Sequence, residues 1–166
     1  MTRIISSFLS PVGNILIEVD GEMITSLVFE KEKKVTPLDG IIDDEHILIK
    51  NCKQQLTAYF NGTRREFDLP IQQNGTAFQQ KIWTALQQIP YGKTISYLEL
   101  SKRTGDIKAI RAVGTTNGKN QLSIVVPCHR VIGSNGDLTG YSGGLWRKRW
   151  LLEHERKFAH GVQTLF

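Results

Sequence analysis

The chain has 166 residues, is 40% hydrophobic and 22% charged, and carries a formal net charge of +5, room for one compact domain or two small ones. No apolar run approaches the roughly 20 residues of a membrane helix, and residues 1–6 lack a signal-peptide core and cleavage pattern. Two cysteines make no disulfide framework, so the expectation is a cytoplasmic protein with no membrane association.

The charge is unevenly spread. Residues 1–75 hold 8 Lys and Arg against 11 Asp and Glu, whereas residues 76–166 hold 13 against 5. A basic module follows a mildly acidic one, and a basic module of this size commonly meets a phosphate backbone.

Residues 4–8, 15–19 and 23–29 read as strands joined by turn signals at 10–14 and at Asp20-Gly21, forming an antiparallel meander. Its apolar face needs a helix to cover it. Residues 44–60 supply one, with Ile47, Ile49, Cys52, Leu56 and Phe60 at mostly helical spacing and Asn61-Gly62 as the stop. Cys52 within that helix reads as a small core residue. Together with His46 it offers two ligands, too few for a closed metal site. Residues 67–71 look extended, and residues 72–75 form the linker.

From Thr76 the texture becomes helical. Thr76 with Gln79 is a capping-box pattern, and Phe78, Ile82, Trp83, Leu86 and Ile89 mark the buried stripe that follows. Residues 94–103 make a second helix, closed by Thr104-Gly105. Asp106 caps a third from Ile107 to about Thr116, and the pair reads as helix-turn-helix. The third helix carries a small-residue face, Ala109, Ala112, Gly114, Thr115 and Thr116, from which Arg111 projects. Such a face suits either tight internal packing or close approach to a DNA groove. Residues 122–126 read as a strand, residues 133–144 as a glycine-rich excursion, and a last helix runs from Leu145 to about Phe158.

Between that strand and the excursion stands Pro127-Cys128-His129-Arg130-Val131, a thiol followed by an imidazole and a guanidinium. The thiolate is the reactive form, and neighbouring cations favour it. Such a dyad admits a cysteine hydrolase, a metal site or a single-turnover acceptor, and metal is the weakest for want of further ligands. Adjacent residues of an extended strand point oppositely, so a water bridging Cys128 and His129 is expected. A carboxylate behind the histidine would come from Glu153 or Glu155.

The pentapeptide resembles the active-site signature of the O6-alkylguanine-DNA alkyltransferases, also called methylated-DNA–protein-cysteine methyltransferases. Residues 95–97, 111–114, Asn120, 140–144 and 150–155 resemble the same family in order and spacing. The likeness is strong over residues 76–155 and general in layout before them. It implies an α+β protein, with a ribonuclease H-like N-terminal domain at 1–75 holding a small antiparallel sheet plus helix. A winged helix-turn-helix domain at 76–166 would bind DNA and carry the active site.

The resemblance also implies residue roles. Cys128 would accept the alkyl group, His129 would take the thiol proton through a water, and Glu155 would orient the imidazole. Asn120 would support the relay and its turn. Tyr97 would donate to guanine N3. Arg111 would fill the gap left by a flipped base, reached from the minor groove. Backbone carbonyls of Cys128 and Val131 would meet the exocyclic amine, Ser142 the O6 atom, and Tyr141 would wall the pocket beside Gly143. Ala109 and Thr115 would face the DNA. Lys102, Arg103, Lys108 and Lys119 would contact phosphates, and Arg130 would pair within the fold.

The implied activity is suicidal transfer from O6-alkylguanine in double-stranded DNA, with O4-alkylthymine a further candidate substrate. The protein would act as a monomer with no cofactor and no metal, since the zinc ligands of some relatives have no counterparts here. Nor is an added regulatory domain expected. Gln121, where many relatives have proline, and the bulky Trp146 depart from the pattern. Two other classes remain open at this point: a non-catalytic lesion binder, against which Cys128 argues, and a winged-helix regulator.

Overall fold

The computed structural model describes residues 3–31 and 39–161. The chain divides into two compact units, Met1–Gln73 and Asn74–Phe166.

In the first unit, strands β1 (Ile4–Ser10), β2 (Gly13–Asp20) and β3 (Met23–Phe29) form the expected antiparallel meander. Its register pairs Ile4 with Val19 and Ile15 with Phe29. Alternation does the work: Ile15, Ile17 and Val19 of β2 are buried, while their neighbours are half exposed. A two-residue strand β4 (Ile41–Ile42) adds to β1 in parallel and gives the order β3-β2-β1-β4. Sequence reading missed it, because two exposed isoleucines carry no alternation.

Helix α1 (Ile47–Phe60) buries Ile49, Cys52, Leu56 and Tyr59. Ile47, expected on this stripe, is instead 65% exposed. Tyr59, rather than Phe60, completes the stripe, while Phe60 stacks on Phe8 with ring centroids 6.2 Å apart. His46 is the N-cap of α1: its Nδ1 accepts from Leu48 N at 3.2 Å, a role more commonly filled by Ser, Thr, Asp or Asn.

In the second unit, helix α2 (Ala77–Leu86) starts at a complete capping box between Thr76 and Gln79. Ile82, Trp83 and Leu86 are buried, and Trp83 Nε1 donates to Thr116 O at 3.1 Å. Phe78, in the first turn ahead of this face, is 38% exposed rather than buried. The expected helix over residues 94–103 is shorter: strand β5 (Ile95–Ser96) comes first, and Ser96 caps α3 (Tyr97–Arg103) by accepting from Glu99 N. β5 pairs in parallel with β6 (Val131–Ile132).

Asp106 caps a short 3-10 turn that runs into α4 (Ile110–Gly118), so α3 and α4 make the helix-turn-helix. Gly105, at φ 95°, takes the left-handed conformation that the turn between them needs. Helix α5 (Leu145–His160) closes the unit, with Leu151 and Leu152 in its core.

Candidate active site

The largest departure from the sequence reading lies directly before Cys128. Residues 122–126 are not a strand. Asn120 takes over the partners that a ladder would have used: its Nδ2 donates to Val126 O at 2.7 Å and to Leu122 O at 3.4 Å, and its Oδ1 accepts from Leu122 N at 3.1 Å. The backbone then folds through two tight turns. Val125 N donates to Ser123 O at 2.8 Å around Ile124, whose φ is 72°, a conformation rare for a β-branched residue. Cys128 N donates to Val126 O at 2.8 Å around Pro127, at φ −82° and ψ 66°.

These turns set Cys128 at the start of a 3-10 turn, Cys128–Arg130. Cys128 and His129 therefore do not alternate as strand residues would. Among the described residues, His129 Nδ1 has no hydrogen-bond partner although it is buried.

His129 is fully buried, and its Nε2 lies 2.7 Å from Glu155 Oε2. Burial pushes the imidazole below its ordinary pKa, against the pull of Glu155. A neutral ring that donates Nε2–H to the carboxylate leaves Nδ1 as a base. Of the two candidate carboxylates, Glu155 is the one in hydrogen-bond contact with His129.

Glu155 is held from three sides. Arg130 Nε donates to its Oε1 at 2.8 Å and Arg130 Nη2 to its Oε2 at 3.0 Å, a bidentate pair, while Gly92 N approaches Oε1 at 3.4 Å. Burial alone would push this carboxyl up, but His129 and Arg130 together outweigh it and hold Glu155 well below the usual range. Arg130 Nη1 also donates to Ile89 O at 2.7 Å. Arg130 thus pairs within the fold, with the same carboxylate that binds His129.

Cys128 is 3% exposed, and burial pushes its thiol up, opposed by Asn120 and by the charge of Lys148. In this environment the thiol keeps its proton, so a reaction at sulfur needs a base to take it. The Cys128 carbonyl accepts from Asn117 Nδ2 at 3.3 Å and from the Val131 N–H. An amine donating to that carbonyl would have to share it. Val131 itself is buried at the start of β6.

The other predicted residues lie on α3, on α4 and its approach, and in the segment before α5. Tyr97, at the N-terminus of α3, donates from Oη to Thr139 O at 3.1 Å, and burial raises its pKa, so it remains a donor. Tyr141 is half-buried as a residue and burial of its hydroxyl pushes its pKa well up, Ser142 is exposed, and Gly143 is buried. On α4, Arg111 and Thr115 are exposed, Ala109 directly before it is half-buried, and Lys102, Arg103, Lys108 and Lys119 are all exposed on the same helical pair and its edges.

Sequence reasoning missed two residues. Lys148 is 0% exposed, and burial pushes its pKa down to about 8 against the pull of Cys128. Asn117 is 2% exposed. Both carried a signal: Lys148 falls on the helical stripe of Leu151, Leu152 and Glu155, and Asn117 on that of Val113. A polar residue on a buried stripe marks a committed partner.

Residues 77–157 match the family model described as 6-O-methylguanine DNA methyltransferase, DNA binding domain, and residues 5–73 match that family's ribonuclease-like domain. The chain belongs to the 6-O-methylguanine DNA methyltransferase family. It is 45% identical over 149 residues to the methylated-DNA–protein-cysteine methyltransferase of Methanosarcina acetivorans, covering 89% of this chain and 95% of that one. The constitutive enzyme of Bacillus subtilis is likewise 45% identical, over 89% of this chain and 92% of its own. Among solved structures, Mycobacterium tuberculosis OGT in complex with DNA superposes with a TM-score of 0.86 at 42% identity, covering 93% of this chain and 94% of that one. The α+β architecture is thus shared along nearly the whole length.

Proposed function

We infer that this chain repairs DNA by moving the alkyl group of O6-alkylguanine onto Cys128, once per molecule. The observation that carries the reading is the buried His129–Glu155–Arg130 cluster beside Cys128, with Nδ1 of His129 as a base that no donor among the described residues occupies.

The chemistry balances. Cys128 Sγ attacks the alkyl carbon, the sulfur–carbon bond forms, and the carbon–O6 bond breaks. The thiol proton passes through a water to His129 Nδ1, where Glu155 stabilises the imidazolium. The departing guanine takes a proton at N3 from Tyr97. The proton gained by His129 matches the one lost by Tyr97, and both return to rest through solvent. The product is a thioether with no acyl carbon for water to attack, and the other cysteine, Cys52, is fully buried within α1, so no second thiol is accessible to release it.

The target carbon is out of reach inside stacked DNA, so the nucleotide must be extruded, which costs least for a damaged pair. Arg111 rises from the small-residue face of α4 and fills the gap from the minor groove, with Ala109 and Thr115 against the DNA. Lys102, Arg103, Lys108 and Lys119 supply phosphate contacts without reading sequence. Tyr141, Ser142, Gly143 and the backbone of Val131 receive the base. Asn120 fixes the turns that present Cys128. Residues 76–166 hold all these parts, and the protein acts as a cytoplasmic monomer. The test is stoichiometry: duplex DNA with a labelled O6-methyl group transfers label to protein up to one equivalent and then stops. Continued turnover, or binding with no transfer, contradicts the reading.

A further inference from the structure

One backbone oxygen beside the site has two side-chain donors. The Thr139 carbonyl accepts from Tyr97 Oη at 3.1 Å and from Lys148 Nζ at 2.7 Å. The two donors adjoin, with Nζ 5.8 Å from the Tyr97 ring centroid. A Cβ placed on Gly140 would lie 3.8 Å from Tyr97 Oη, so the chain passes close to the hydroxyl here. Thr139 belongs to the segment between β6 and α5, where residues 134–137, Thr139 and Gly140 are exposed. Such a segment has little core of its own to hold it.

This arrangement creates a conflict within the reaction. A tyrosine hydroxyl has one proton to donate. If Tyr97 donates to an incoming base, it must let go of Thr139. A loop held by Tyr97 alone would come loose at the moment its residues Tyr141 and Ser142 are needed against the base.

We propose that Lys148 is a positioning residue that clamps the loop through the Thr139 carbonyl, so that Tyr97 can leave that carbonyl for the substrate. The proposal rests on the function inferred above. A carbonyl has two lone pairs and serves both donors in the free protein. The ammonium makes the stronger, charge-assisted bond, and it anchors the loop to α5. Burying an unpaired ammonium is costly, and an apolar side chain of similar length would avoid that cost. The clamp accounts for a lysine at a position that burial alone would give to methionine or leucine.

The test is backbone hydrogen exchange on the full chain, which needs no alkyl transfer. In Lys148→Met, amides of residues 136–141 exchange roughly tenfold faster or more, while those of α5 and the β1–β3 sheet keep their protection. Lys148→Gln keeps an N–H donor without the charge, and it restores most of the loop protection. Half-saturation by free O6-benzylguanine follows the same order, weakened in Lys148→Met and recovered in Lys148→Gln. Unchanged loop exchange in Lys148→Met, or a Gln variant no better than Met in an intact fold, overturns the clamp. A wild-type chain that fails to transfer alkyl groups would count against the inferred function, and the exchange data would still decide the clamp.

Discussion

The two cysteines of this chain are buried almost equally, Cys52 at 0% and Cys128 at 3% exposure, and yet their surroundings differ in kind. Cys52 sits in mid-helix on the buried stripe with Ile49, Leu56 and Tyr59. Burial pushes its thiol up to about 12, with only Lys53 opposing. Cys128 sits where the backbone has left regular structure, and burial raises its thiol as well. What differs is the polar shell: Asn120, Lys148, Asn117 and the His129–Glu155–Arg130 cluster all converge on one turn. Burial does not separate a structural thiol from a reactive one; the partners assembled around it do.

The strongest way to break this comparison is to remove each thiol. Cys128→Ala should abolish alkyl transfer and keep lesion binding in a gel shift, whereas Cys52→Ala should transfer at the wild-type rate. Loss of binding in Cys128→Ala would make that residue structural too. Next comes the shell. Glu155→Ala leaves the buried Arg130 guanidinium without its carboxylate, and the expected loss is about 3–5 kcal/mol in urea unfolding. The sign with pH follows from a carboxyl held below its ordinary value of 4.5: the stabilisation is complete above that pH and declines as pH falls below it.

A smaller effect sharpens the DNA side. Arg111→Ala should slow transfer from duplex DNA by about tenfold and leave free O6-benzylguanine nearly unaffected. Equal slowing on both substrates would remove Arg111 from base extrusion. The mildest expectation concerns His129. Burial depresses its pKa from 6.5, so the neutral base persists below that value, and single-turnover rates should hold level as pH falls from about 7.5 to 6.5 before declining. A decline that begins above 6.5 would contradict the neutral-base assignment.

Much of this was legible in the sequence where local chemistry and burial agree. The meander and its helix follow from alternation and from the Asp20-Gly21 turn, and α2 from the Thr76–Gln79 box. The reading failed where side chains from elsewhere claim the backbone. Residues 122–126 have the composition of a strand, but Asn120 bonds to Leu122 and Val126 and folds them into turns. Residues 94–96 look helical until Ser96 is seen to cap α3 and Ile95 to pair with Val131. The residues alone narrow the carboxylate behind His129 to Glu153 or Glu155, and only the family likeness selects Glu155, whose contact with His129 spans 26 residues. Lys148 was readable from its place on the apolar stripe of α5, and its bond to Thr139 was not.

The most direct test of the account is the mass of the two cysteine-containing peptides after incubation with duplex DNA bearing O6-methylguanine. The account predicts one added methyl group on the peptide holding Cys128, none on that holding Cys52, and guanine restored in the DNA. An unmodified Cys128 peptide with repaired DNA, or a methyl group on Cys52, would contradict it.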